Sequence, residues 1–181
     1  MAVESNFLNL GSPLIDFSLK GTDGETHSTS DYSGKDVLIV AFICNHCPYV
    51  KAITGRLVAI QEKFKDMGVQ ILAVNSNDPD DYPEDSFENM QEFAAEREFN
   101  FPYLVDETQE VAREYDAQCT TDIYVYDKDR VLKYRGRIDD NWKEEDKVTS
   151  RDLENAISLL LEGKEIDFKQ IPSIGCSIKW K

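Results

Sequence analysis

Apolar and polar positions change period several times along the chain, and each change marks an element. "DVLIVAFI" at 36–43 is apolar almost without interruption and rich in β-branched residues, the pattern of a central strand covered on both faces. Directly after it, Val50, Ile53, Leu57, Ile60 and Phe64 recur at helical steps, one apolar stripe whose helix is expected to end at Gly68. "VQILAV" at 69–74 reads as a second buried strand, so strand, helix and strand form a right-handed parallel βαβ unit. Upstream, "LIDFSLK" at 14–20 alternates loosely and runs into the turn signal "GTDGET", which predicts a small hairpin.

The stretch "NSNDPDDYPEDSFENMQEFAAEREFN" begins as an acidic loop and predicts a helix from near Pro83, with Glu84 and Asp85 in its first turn. Phe87, Met90, Phe93 and Ala94 form its buried face. "FPYLV" at 101–105 is a short strand, and "DETQEVAREYDA" a short helix with Thr108 as its N-cap. "DIYVYDKDRVLKYRG" gives two antiparallel strands around the turn "DKDR". A last helix is predicted from near Ser150, where Thr149 and Asp152 fit a capping box, to Gly163. The order predicts an α/β fold with a mixed central sheet and helices on both faces. It forms one domain over 1–181, with 164–181 as a C-terminal tail.

Composition narrows the function. At 41% hydrophobic and 30% charged, the 181 residues suit a globular protein with one core. The longest apolar run, "VLIVAFIC", is too short to span a bilayer. A net charge of −15 repels nucleic acid and anionic membranes, so neither is expected as a partner. The opening "MAVESNFLNLGSPLIDF" lacks the pattern of a secretory signal, which makes a cytoplasmic location the expectation.

The chemistry concentrates in "FICNHCPYV" at 42–50. Cys44 falls where the central strand gives way to the helix, and Cys47 follows one CxxC spacing later. On a first helical turn, Cα atoms so spaced lie roughly 5–5.5 Å apart, inside the disulfide range. The helix N-terminus and a neighbouring His46 imidazolium can draw a thiol down from about 8.5 into the range of about 3.5–7. The thiolate is the species that attacks a disulfide. Zinc would want four ligands, and a second CxxC or an HxxxH pair is absent from the sequence. Neither a metal nor a cofactor is therefore expected. The acidic run Asp78, Asp80, Asp81, Glu84 and Asp85 lacks the order and glycine of a calcium loop and reads as a solvated loop and helix start.

The span "DFSLKGTDGETHSTSDYSGKDVLIVAFICNHCPY" resembles the opening of the thioredoxin-like redoxins, in particular the AhpC/TSA and TlpA/ResA-type branch. The likeness runs on through "ILAVNSND", "FPYLVDET", "VAREYDA", "DIYVYD" and "YRGRIDD". The ending "PSIGCSIKWK" resembles thioredoxin-family proteins with a CNHCPYVK signature. The resemblance implies a thioredoxin-like three-layer fold with an N-terminal hairpin and an inserted helix. It also implies that Cys44 is the attacking cysteine, that Cys47 resolves, and that His46 stabilises the Cys44 thiolate. Thr120 and Thr121 fall in the loop that contacts substrate, with Cys119 and Cys176 as possible accessory thiols.

Three features depart from that pattern. Thr121 stands where the family places a cis-proline; a cis bond before a non-proline costs about 2.5–4 kcal/mol, so a trans Thr120–Thr121 bond is expected. Leu38 takes the place of the family's buried acid and Ile43 that of its tryptophan, so no carboxylate proton acceptor can be assigned. Pro48 suits the first position of a helix capped by Cys47, which leaves open which sulfur sits at the helix end.

The leading expectation is a thiol–disulfide oxidoreductase acting on a disulfide-containing protein or a small molecule, recycled by a thioredoxin system or glutathione. A thiol peroxidase using Cys47 or Cys44 is the alternative. Against it, the peroxiredoxin pattern PxxxTxxC meets Val40 at the proline and Cys44 at the threonine. A redoxin-fold binding module without turnover is the third possibility. We expect Cys44 and Cys47 to form a reversible disulfide. Thiol counting on zinc-free protein with and without reductant tests this, and an unchanged count would exclude it.

Overall fold

The structure is a computed structural model, which describes residues 2–6 and 9–181. Numbered in chain order, its strands and helices are β1 (Ala2–Glu4), β2 (Ser18–Gly21), β3 (Thr26–Ser28), β4 (Val37–Phe42), α1 (Pro48–Phe64), β5 (Val69–Asn75) and α2 (Phe87–Glu96). Then come β6 (Tyr103–Val105), α3 (Glu110–Glu114), β7 (Cys119–Thr120), β8 (Asp122–Tyr126), β9 (Leu132–Arg135), α4 (Asp152–Leu161) and β10 (Ile174–Ser177).

Strand β4 organises the rest because all of its side chains are apolar and it lies within a seven-stranded sheet of order β3-β2-β6-β5-β4-β8-β9. It pairs parallel with β5 and antiparallel with β8, and β5 pairs parallel with β6. Side chains alternate across a strand. Val37, Ile39 and Ala41 therefore enter one cluster with Leu57 of α1, Phe93 of α2 and Ile157 of α4. Leu38, Val40 and Phe42 enter the other, with Val111 of α3, Tyr115 and Tyr124. The result is the mixed sheet with helices on both faces that the sequence predicts. Among the described residues, no helix is long and apolar enough to cross a membrane.

Helix α1 follows its apolar stripe, ends at Phe64 and passes through a 3-10 turn at Lys65–Met67. Gly68, at φ +81, then turns the chain into β5. The second helix starts later than its composition suggests. Pro83–Asp85 forms a separate 3-10 turn, and Ser86 caps α2 by accepting from the Asn89 amide at 3.3 Å. Helix α3 has Gln109, not Thr108, at its N-cap. Helix α4 starts at Asp152 with Arg151 at the cap. The expected capping box fails because Thr149 bonds to Asp140 and Asp152 accepts from Arg137 at 2.6 Å.

The tail is the largest departure. Residues 164–181 contain β10, which lies antiparallel between β1 and β7 in a small second sheet. None of these three strands has enough residues to show a period, so none is visible in the apolar pattern.

A buried ion pair braces the segment between α3 and β8. The side chains of Arg135 and Asp122 are both fully buried, with Nη2 and Oδ2 2.8 Å apart. Arg135 also donates to the Asp116 carbonyl at 2.8 Å, and Asp122 accepts from the Gln118 amide at 3.0 Å. Both ends of the β7 segment are thus tied to one guanidinium–carboxylate unit. Removing one member strands the other charge in the core, a loss of about 3–5 kcal/mol. We expect Arg135→Ala to lower stability by that order in denaturant titration. A loss below about 1 kcal/mol would show that the pair does not brace this segment.

Candidate active site

Pro48 decides how the CxxC is presented. Proline favours the first helical position, where its missing N–H and fixed φ cost nothing. Helix α1 therefore begins at Pro48 with Cys47 as its N-cap, at φ −67 and ψ 125. Cys44 lies in the turn before it, beyond the end of β4. The two cysteines do not share a helical turn, contrary to the expectation from spacing alone. Both are fully buried and unoxidised.

Thr120 connects them. With both thiols protonated, Cys44 donates to Thr120 Oγ1 at 3.6 Å and Cys47 to the Thr120 carbonyl at 3.5 Å; when Cys47 ionises, the Cys44 proton is free to turn to it. The sulfurs divide their acidity unequally. Cys47 is pulled down to about 4, chiefly because the Cys44 thiol hydrogen-bonds to its thiolate. Burial opposes this, Thr120 and Cys176 add further hydrogen bonds, and the Val50 amide at the start of α1 makes the last contribution. Cys44 is held well above the ordinary thiol range by that same bond to Cys47, by burial and by the charge of Asp85. The expectation of a low-pKa Cys44 is therefore reversed: the N-cap sulfur, not the one in the turn, carries the stabilised charge.

His46 does not stand alone beside Cys44. Its Nδ1 lies 2.7 Å from Asp85 Oδ2, and its ring stacks on Tyr82 at 5.4 Å between centroids. The Asp85 side chain is fully buried and also accepts from the Asn45 amide and from Asn77 Nδ2, each at 2.7 Å. Asn45 in turn donates to the Glu84 carbonyl and accepts from the Tyr103 hydroxyl, each at 2.8 Å. The turn between the cysteines is thus fastened to the Pro83–Asp85 turn. Asp85 is the residue that sequence reasoning missed, since its acidic surroundings suggested a solvated helix start. The signal available was Ser86, whose cap preference moves the helix start past Asp85 and frees the carboxylate to turn inward.

Cys44, His46 and Asp85 form a group with metal-ligand potential, their donor atoms all within 4.8 Å of one another. Both Asp85 oxygens and His46 Nδ1 already have hydrogen-bond partners. Three donors also fall short of the four that structural zinc takes.

The remaining sequence candidates divide. Thr120 and Thr121 lie beside the pair but are 2% and 6% exposed. Their peptide bond is trans, since the described residues contain no cis bond. They do not face solvent as a substrate-contact loop would, because β10 covers them. Cys119 is fully buried, and burial followed by the Asp122 charge pushes its thiol far up, leaving it inert. Cys176, on β10, is half-buried, and its thiol is among the groups that draw Cys47 down. Beside Thr121 opens a cavity of about 200 Å³ lined by Tyr49, Trp142 and Ile174 and by the charged Glu4, Arg137 and Asp140. Neither it nor a larger cavity of about 710 Å³ between Asp36, Asp127, Leu160 and Lys164 is lined by a cysteine.

A mixed sheet packed by helices on both faces, with a CxxC between the central strand and its helix, defines a thioredoxin-like redoxin. The model of the AhpC/TSA family matches residues 10–135, and the chain belongs to that family. The thiol-disulfide oxidoreductase ResA of Geobacillus thermodenitrificans is 28% identical over 132 residues, covering 72% of this chain and 70% of the relative. Peroxiredoxin Q of Populus jackii is 26% identical over 108 residues, covering 60% of this chain and 47% of its own. Among solved structures, a conserved protein from Geobacillus kaustophilus is 46% identical with a TM-score of 0.94, covering 100% of this chain and 97% of its own.

The Cys47 value makes a direct prediction. Thiolate absorbance of the reduced protein should titrate with an apparent midpoint near 4, and Cys47→Ser should abolish that step. The folded value lies below that of an unfolded thiol. Ionised Cys47 therefore stabilises the reduced protein fully above the unfolded value, and the contribution is lost as pH falls through about 4. A first midpoint near 8.5, the value of a free cysteine, would contradict the assignment.

Proposed function

We propose that the protein is a thiol–disulfide oxidoreductase in which Cys47 attacks and Cys44 resolves. The observation that carries this is Cys47 at the N-cap of α1, its thiolate stabilised by the Cys44 thiol. In the reaction the Cys47 thiolate attacks one sulfur of a substrate disulfide, forms a mixed disulfide and expels the other substrate sulfur as a thiolate. Cys44 then attacks Cys47 Sγ, closing the Cys44–Cys47 disulfide and releasing the second substrate thiolate. The His46–Asp85 pair, within 4.8 Å of the Cys44 sulfur, takes the Cys44 proton. That supplies the acceptor which the central strand, with Leu38, lacks.

The substrate is a protein or small-molecule disulfide. The cavity beside Thr121, whose wall combines Tyr49 and Trp142 with Arg137 and Asp140, would take the group next to the substrate sulfur. Recycling takes an external thiol reductant of the thioredoxin or glutathione class, in keeping with a cytoplasmic location. The likeness to ResA supports this reading.

A thiol peroxidase is the second reading, and one observation favours it: a helix-capping cysteine followed by proline, in a chain 26% identical to peroxiredoxin Q over 108 residues. Cys47 would then take one peroxide oxygen as a sulfenic acid, and Cys44 would close the disulfide and release water. The place of the peroxide-orienting threonine is, however, held by Cys44. Turnover of insulin disulfide beside hydrogen peroxide, coupled to NADPH through a thioredoxin system, separates the two. We expect the disulfide rate to exceed the peroxide rate and Cys47→Ser to abolish both. A peroxide rate far above the disulfide rate would install the second reading.

A further inference from the structure

We propose that Cys176 is a third redox thiol, which takes Cys47 over from Cys44 and brings the disulfide to the surface, where an external dithiol reduces it. This rests on the reading of Cys44 and Cys47 as a redox pair.

The geometry starts from the register. Cys176 on β10 lies directly opposite Thr120 on β7 in an antiparallel pair. Directly opposed residues of such a pair send their side chains to the same face. The Thr120 hydroxyl lies 3.6 Å from the Cys44 sulfur, so Cys176 faces the CxxC as well, close enough for its thiol to help draw Cys47 down. The Thr120 hydroxyl also donates to the Cys176 carbonyl at 3.4 Å. Gly175 makes this approach possible, since a Cβ there would lie 1.7 Å from the Thr120 carbonyl oxygen and 2.5 Å from the Thr121 nitrogen. The tail lies on the Thr120 segment as an added strand, with its cysteine turned toward the pair.

Access gives the arrangement a direction. Cys44 and Cys47 are fully buried, whereas Cys176 is half-buried. A reductant arriving from solvent therefore meets Cys176 first. Cys119 lies one residue before Thr120, on the other face of β7, and has no part in the group.

The exchange balances. With Cys44 and Cys47 joined, the Cys176 thiolate attacks Cys47 Sγ; the Cys47–Cys176 bond forms, and Cys44 leaves and takes the proton that Cys176 gave up. A thiolate of the external dithiol then attacks Cys176 Sγ and expels Cys47 as a thiolate, the form in which it is stable. The second thiol of the dithiol attacks the mixed disulfide, freeing Cys176 and leaving the reductant as a disulfide. Two electrons pass from one dithiol to one protein disulfide. In the reduced protein Cys176 is held up to about 11 by burial and then by the bond to Cys47 and its charge. Once Cys47 is part of a disulfide, both Cys47 contributions vanish and the nearby Lys179 still favours the thiolate.

Peptide mapping after diamide oxidation tests the proposal. In Cys44→Ser, the expected product is an internal Cys47–Cys176 disulfide, absent from Cys44→Ser/Cys176→Ser. In otherwise wild-type protein, Cys176→Ser should slow reduction of the Cys44–Cys47 disulfide by dithiothreitol about tenfold or more, while Cys119→Ser leaves it unchanged. If wild type forms Cys44–Cys47 but Cys176 of Cys44→Ser stays fully alkylatable, the third-thiol role is overturned and the redox pair stands. Equal reduction rates for wild type and Cys176→Ser overturn it equally. If wild type forms no internal disulfide at all, both readings fall.

Discussion

The contact between Gly175 and the Thr120–Thr121 peptide is the constraint on which the site depends. No side chain fits there, because a Cβ would sit 1.7 Å from a carbonyl oxygen. The tail can therefore lie flat on β7, and three sulfurs come to share one threonine. Cys44 meets its hydroxyl, Cys47 its carbonyl, and Cys176 is its strand partner. The segment that carries Thr120 is tied at both ends by the Asp122–Arg135 pair, whose two side chains are fully buried. A brace of that kind is poor at adding net stability, but it fixes where a segment lies. Here it fixes the threonine against which Cys44 and Cys47 rest.

Electrostatics then sort the sulfurs. Cys47 has the helix start and two neighbouring thiols as donors, whereas Cys44 has the buried carboxylate of Asp85 on its other side. A negative charge beside a thiol resists its ionisation, and a donated hydrogen bond to the thiolate favours it. His46 is bound to Asp85 rather than free, so it lies on the Cys44 side of the site. On the proposed mechanism the same buried group has two tasks: it disfavours ionisation of Cys44 before resolution, and it receives the proton when resolution occurs.

Much of the fold was legible because it rests on long periodic segments. The β4 run, the α1 stripe and the β8–β9 hairpin each show enough residues to declare a period, and the CxxC lies at their junction. The site was legible in its residue types, but its electrostatics were not. Cys44, Cys47 and His46 are local in sequence, whereas their partners Asp85 and Thr120 lie 39 and 76 residues away from the turn. Pro48 held the information on which cysteine caps the helix, and only the observed start of α1 resolved it. The tail stayed hidden for a different reason. A four-residue strand bearing glycine and cysteine has no apolar alternation, and its partner β7 is shorter still. Its position is set by the shape at Gly175, which a periodicity cannot express.

The division of charge between the two CxxC sulfurs is tested most directly by timed alkylation. Reduced protein is treated with iodoacetamide at pH 6, quenched at short intervals and mapped by peptide mass. Label should enter Cys47 before Cys44, since only the former is substantially ionised there. Label entering Cys44 first, with Cys47 following only after denaturation, would contradict the assignment of the attacking thiolate.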